Sequence, residues 1–165
     1  MIIVVEGPDN SGKTTLAHRL AKDLAGVYVK HEFKPTETDT IDLYDAWIRS
    51  ADSPALFRYV VCDRHPWVSA PIYDLILRGS TRIDMFLATM ACGRFHAIYC
   101  RPPSTTISNW RDDIPQLPGV PEKIELIIDE YDRVFRGHSR RIFASVREYD
   151  WRIDSYDDVL KGLQK

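Results

Sequence analysis

The stretch Gly7-Pro-Asp-Asn-Ser-Gly-Lys-Thr-Thr15 carries residue types at a spacing that can hold phosphate. It fits G-x-x-x-x-G-K-[ST], with Gly7, Gly12, Lys13 and Thr14 in the required places. In that pattern, backbone N–H groups at a helix N-terminus cradle an anion, the lysine reaches the β- and γ-phosphates, and the hydroxyl ligates Mg²⁺. Gly7, Asn10, Ser11, Gly12, Lys13, Thr14 and Thr15 are therefore the candidate phosphate-binding set, and a nucleoside triphosphate with Mg²⁺ the expected ligand. A second candidate is Asp63, at the end of the apolar run Phe57-Arg-Tyr-Val-Val-Cys-Asp63 and followed directly by Arg64. A carboxylate there can hold Mg²⁺ opposite Thr14; capping the next segment or pairing with Arg64 are the structural alternatives. The planar fork of Arg64 suits a phosphate oxyanion.

These residues need particular elements to position them. Met1–Glu6 is a β-branched run of the kind found in a buried parallel strand. Leu16, Leu20 and Leu24 recur at helical spacing after the glycine turn, with Gly26 as a stop. Strands are then expected at Val27–Lys30, Phe57–Asp63, His96–Cys100 and near Val146–Trp151. Helices are expected over 40–51 after an Asp39 cap, over 69–78 ending at Gly79, and from Ile83 to Met90. Three more are expected: from a Ser104 cap through Trp110, from Pro121, and after a Ser155 cap. Pro66 reads as an interruption, and residues 112–121, with three prolines and a glycine, as a loop. Alternating strands and helices predict an α/β fold, a parallel sheet with helices on both faces, and ligands beyond the carboxyl ends of the strands.

At 165 residues the chain is the length of one domain, and 22 basic against 24 acidic residues leave −2, with no long basic run. Small phosphorylated ligands suit this balance better than extended nucleic acid. Cys62, Cys92 and Cys100 are odd in number and lack metal-site spacing, so reduced thiols in a cytoplasmic setting are expected. No apolar run approaches the length of a membrane span.

Glu6-Gly-Pro-Asp-Asn-Ser-Gly-Lys-Thr-Thr15, with Asp63-Arg-His65 and a helix bearing Ser69 and Tyr73, resembles the thymidylate kinases and their short phage-type relatives. That family reads close to E-G-x-D-G-S-G-K-T-T and D-R-[YH], with a serine and a tyrosine following. The resemblance implies a P-loop NTPase fold of three α/β/α layers, a five-stranded parallel sheet, and a mobile lid near 101–121 in a single domain spanning 1–165. It implies transfer of the γ-phosphoryl group of ATP to a deoxynucleoside 5′-monophosphate, dTMP first, with Lys13, Asp9, Arg64 and a lid arginine, Arg111, as catalytic residues. It leaves a homodimer open, and host cytoplasm as the location if the source is a phage.

By position, Asp9 would touch the acceptor's sugar hydroxyl, Arg64 would clamp its α-phosphate, and Ser69 and Tyr73 would line its pocket. A turn aspartate, a helix cap and a core aromatic are the structural alternatives for Asp9, Ser69 and Tyr73. The family serine falls one position closer to its aspartate than Ser69 does to Asp63. Where the family reads the base with a phenylalanine and an arginine, this chain has Asp45 and Arg49, leaving Trp47 or Tyr44 to stack. Arg101, Arg133 and Arg136 stand behind Arg111 as further cations. A deoxynucleoside kinase is the nearest alternative and wants a carboxylate base, for which Glu32 and Glu37 are candidates. A kinase acting on a polynucleotide or a modified nucleotide is a third reading. A GTP-dependent switch lacks its N-K-x-D sequence.

Overall fold

The computed structural model describes residues 1–31, 58–80, 93, 95–108, 118–137 and 142–164. The expected helices over 40–51 and 83–90, the candidates Trp47, Arg49 and Arg111, and residues 109–117 of the expected lid lie outside them.

Strand β1 (Ile2–Glu6) is buried along its whole length. The reason is its place in a five-stranded sheet of order β2-β3-β1-β4-β5, in which every pairing is parallel. The other strands are β2 (Val27–Lys30), β3 (Val60–Asp63), β4 (Phe95–Cys100) and β5 (Ser145–Tyr149). A central parallel strand has helices on both faces, so alternate residues must all be apolar. Ile3, Val5, Val61 and Ile98 pack on helices α1 (Lys13–Asp23) and α5 (Tyr156–Leu163). Ile2, Val4, Val60 and Ala97 pack on α2 (Pro66–Arg78) and α4 (Ile124–Asp132). This is the three-layer arrangement expected. Because β1 sits between β3 and β4, the chain reverses its winding there, and a crevice opens at the carboxyl ends of those strands.

Several boundaries differ from expectation for local reasons. Helix α2 starts at Pro66, not Ser69, because His65 caps it: its Nδ1 accepts the Trp67 N–H at 3.2 Å. Pro66 thus opens the helix, its fixed φ suiting the first position. Ser104 is the first residue of the short helix α3 (Ser104–Ile107), and Pro103 holds the cap position. Pro121 opens a 3₁₀ turn (Pro121–Lys123) that leads into α4, and a π turn (Arg133–Gly137) follows. Strand β5 ends at Tyr149 because carboxylates capture the next amides: Asp154 takes the N–H of Asp150 at 2.6 Å, and Asp150 takes that of Arg152 at 3.1 Å. Trp151 is thereby turned out of the sheet. Ser155 precedes α5 without a side-chain cap bond. No described helix is long and apolar enough to cross a membrane.

Helix α1 ends at Asp23, three residues before its expected glycine. Gly26 N–H bonds Ala21 O at 2.8 Å and Ala25 N–H bonds Lys22 O at 3.2 Å, the paired bonds of a Schellman turn. The left-handed position falls on Ala25, with φ 48°. A Cβ in that conformation costs about 1–2 kcal/mol. Ala25→Gly is expected to stabilise the protein by about 1 kcal/mol, raising Tm by about 2–4 °C. An unchanged or lowered Tm in thermal unfolding would contradict this strain.

Candidate active site

The loop between β1 and α1 wraps the space above β1. A Cβ on Gly7 (φ 149°) would lie 2.5 Å from the Cys100 carbonyl oxygen, and one on Gly12 (φ 85°) 2.8 Å from the Trp151 ring. Both glycines are therefore fixed by close approach and by backbone conformation. Thr14 and Thr15 are exposed at the start of α1, whose first turn carries no acidic residue to neutralise the helix dipole. Lys13 is buried, donating to Pro8 O at 3.0 Å with its Nζ 3.9 Å from Asp9 Oδ1. Burial, and then the charge of Arg64, pull its ammonium down to about 8; Asp9, Asp63 and Glu6 oppose them.

The cleft, about 680 Å³ in volume, has Asp9, Lys13, Thr14, Asp63 and Arg64 among its lining residues. Asp63 is buried at the end of β3, and its Oδ2 accepts the Tyr28 hydroxyl at 3.1 Å. Its Oδ1 is buried with no hydrogen-bond partner among the described residues. A carboxylate oxygen left over in this way, in a residue that lines the same cleft as Thr14, suits a hard cation or its water, so the donor set fits Mg²⁺.

Arg64 takes a left-handed backbone, φ 70°, at the turn out of β3, held by its own N–H on Val5 O at 3.0 Å. Its guanidinium is buried. Nη1 donates to Tyr131 OH at 3.1 Å, while Nη2 donates to Tyr73 OH at 3.1 Å and to Asp9 Oδ1. Tyr73 in turn donates to Asp9 Oδ2 at 2.8 Å. Burial would raise the Asp9 pKa, but Arg64 and then Lys13 outweigh it and hold the carboxyl below its ordinary value. Burial opposes the charge of Arg64 too, and Tyr73, Asp9 and Tyr131 more than offset it. Asp9 is thus a carboxylate in the cleft wall, bonded to one of the two buried cations and close to the other, not simply a turn residue.

Ser69 goes elsewhere. It is fully buried and donates to both oxygens of Glu6, at 2.9 and 2.8 Å, instead of lining the cleft. Glu6 also accepts the His65 N–H at 2.6 Å and Tyr131 OH at 3.2 Å. Burial raises the Glu6 pKa against Arg64, the His65 amide and Ser69. Glu6 and Tyr131 form a floor beneath Arg64 that sequence reading missed. Glu6 stands just before the glycine loop with no chemistry of its own to mark it, and Tyr131 lies among the apolar residues Ile124, Ile127 and Ile128 of α4.

The arginines held in reserve for a lid are engaged in ion pairs. Arg101 grips the Asp132 carboxylate through Nε and Nη2, each at 3.0 Å, Arg133 pairs with Glu130, and Arg136 pairs with Asp132 and Glu148. Tyr149, Trp151, Tyr156 and Arg19 also line the cleft as a largely aromatic wall, the Arg19 guanidinium lying 3.5 Å over the Tyr156 ring. Trp151 is half exposed against Gly12. No motif marks that wall; the aromatics clustered at the end of β5 are its only trace in the sequence.

No protein-family model matches the chain, and no curated protein sequence matches it. Solved structures do. The YorR protein of Bacillus subtilis, in complex with phosphorylated GDP, superposes with a TM-score of 0.67 at 18% identity, covering 99% of this chain and 94% of that one. The thymidylate kinase of Candida albicans gives 0.63 at 14%, covering 99% and 88%. The deoxyadenosine kinase of M. mycoides with bound dATP gives 0.59 at 15%, covering 99% and 97%. The chain therefore shares the α/β fold of these structures.

Lys13 generates a pH dependence. Its folded pKa is depressed, and the charged form is the one that attracts phosphate. Nucleotide affinity is therefore expected to be complete below about pH 8 and to decline as pH rises through that value, with proton uptake on binding. ADP titrations between pH 6.5 and 9.5 are expected to show this decline in wild type and none in Lys13→Met, well below the lysine's ordinary pKa. A flat wild-type profile would contradict the assignment.

Proposed function

We propose that the protein is a kinase that transfers the γ-phosphoryl group of ATP to the 5′-phosphate of a deoxynucleoside monophosphate, dTMP first. The observation that carries this reading is the run Lys13–Asp9–Arg64 within one cleft. Lys13 and the amides of the glycine loop suit the donor's β- and γ-phosphates. Arg64, backed by Tyr73 and Tyr131, suits the phosphate of the acceptor. Asp9 bonds Arg64 and lies near Lys13, and can pass from Arg64 to a sugar hydroxyl when an acceptor phosphate takes its place.

The chemistry asks little more of the chain. An acceptor phosphate oxygen forms a bond to the γ-phosphorus as the bond to the bridging β–γ oxygen breaks, and ADP leaves. The attacking oxygen is already anionic, so no strong base is required. Mg²⁺, held through Thr14 and Asp63, would neutralise charge on the donor phosphates. Lys13 and Arg64 align the two anions, which would otherwise repel each other, and positioning with charge stabilisation provides most of the acceleration. The aromatic wall of Tyr149, Trp151 and Tyr156 suits the donor base. Arg111 would serve as the lid cation, helping to shield the reacting phosphates from water.

One observation favours a second reading, a deoxynucleoside kinase. Asp9 is an ionised carboxylate oriented by Arg64 and Tyr73 close to Lys13, a setting that also suits accepting a proton from a sugar hydroxyl. The structural likeness to a deoxyadenosine kinase accords with it.

ADP release with ATP, Mg²⁺ and a panel of nucleosides and nucleoside monophosphates separates the two. Turnover is expected with dTMP and with deoxynucleotides over ribonucleotides. Arg64→Lys, which keeps the charge and loses the fork, is expected to raise the KM for the monophosphate about tenfold or more with little change for ATP. Turnover with nucleosides but no monophosphate would overturn the proposal in favour of the second reading.

A further inference from the structure

We propose that Tyr28 is a positioning residue for the divalent cation, holding Asp63 Oδ2 so that Oδ1 is the oxygen offered to the metal. The inference rests on the reading of Asp63 as a metal ligand given above.

The register of the sheet brings the two side chains together. In the parallel pair of β2 and β3, Tyr28 lies opposite Val61. Residues two apart on a strand share a face, so Tyr28 lies on the face of Val61 and Asp63, the face covered by α1. The phenol spans the remaining distance along the strand and donates to Asp63 Oδ2 at 3.1 Å. Without that bond the carboxylate could turn about χ2, which is a broad, soft torsion, and present either oxygen to the cleft. With it, Oδ1 is left as the buried oxygen that has no hydrogen-bond partner among the described residues.

The phenol ring is itself held. It stacks on His18 with centroids 3.8 Å apart and planes 18° from parallel. His18 lies on α1 four residues after Thr14, so both sit on the same side of that helix. The helix that carries Thr14 therefore also anchors, through His18 and Tyr28, the Asp63 carboxylate that lines the same cleft. A phenylalanine would cover the apolar surface equally well. What the hydroxyl adds is the bond to Asp63. Groups that orient a ligand from behind in this way typically change metal affinity by about 10- to 100-fold when removed.

The test measures metal binding without turnover: Mn²⁺ titrated by electron paramagnetic resonance in the presence of ADP, with ADP affinity in EDTA measured by calorimetry. Tyr28→Phe is expected to weaken Mn²⁺ binding about tenfold while metal-free ADP affinity stays within about twofold. His18→Ala, which keeps the hydroxyl and removes only the stack, is expected to give a smaller loss in the same direction. Asp63→Asn runs alongside. Loss of Mn²⁺ in Asp63→Asn with wild-type binding in both other variants overturns the role of Tyr28 alone. Wild-type Mn²⁺ binding in Asp63→Asn overturns the metal role of Asp63 and this inference with it. Equal losses of Mn²⁺ and metal-free ADP binding in Tyr28→Phe would show a general disturbance of the cleft and also overturn the inference.

Discussion

The site depends on keeping one guanidinium, that of Arg64, charged and buried at the bottom of a cleft. Removing a cation from water costs several kcal/mol even after relaxation, and removing one partner of a buried pair typically costs about 3–5 kcal/mol. The chain meets this with Asp9 from the glycine loop, Tyr73 from α2 and Tyr131 from α4. The backbone at Arg64 adds a second demand, because a left-handed conformation in a residue with a bulky side chain persists only where its surroundings fix it. Here Val5 O takes the Arg64 amide and Glu6 takes the next one, so the last residues of β1 clamp the turn that aims the arginine.

Glu6, Arg64, Tyr73 and Tyr131 come from four separate elements, and the topology is what joins them. With β1 central and β3 beside it, the ends of both strands reach the same crevice, while α2 and α4 cover the face beneath. The apolar alternation of β1 secures the register that sets Val5 against Asp63. A one-residue slip would move Asp63 to the opposite face from α1 and separate it from Tyr28. Sheet packing and site chemistry are in this sense one constraint: the residues that seal the core also fix the ligand-facing ends.

The glycine-bounded turn between β1 and α1 was legible in the sequence because it is local: its two glycines, lysine and threonine fall within one short stretch of chain. So were the strands, since β-branched runs such as Ile2–Val5 and Val60–Val61 have few alternatives. The floor beneath Arg64 was not legible, because Glu6 and Tyr131 are 125 positions apart and look like an ordinary strand end and an ordinary apolar helix position. Ser69 was assigned to the cleft by position in a motif. The helix that begins at Pro66 instead sets it against Glu6, with Tyr73 one turn farther along reaching Asp9. Tyr28 was invisible for a similar reason, its role arising only from the pairing of β2 with β3. Trp151 was read into a strand whose end is decided by two aspartates catching backbone amides, a competition that hydrophobic patterning does not register.

The central claim is that Lys13 and Arg64 serve two nucleotides bound end to end in one cleft. Calorimetry with a bisubstrate analogue, thymidine and adenosine joined 5′ to 5′ through five phosphates, tests it most directly. Contiguous sites make the second half of the molecule's binding intramolecular. The account predicts one analogue per chain, bound about 100-fold or more tightly than ATP or dTMP alone, with the gain lost in both Lys13→Met and Arg64→Lys. Binding no tighter than ATP, or a gain that survives Arg64→Lys, would contradict it.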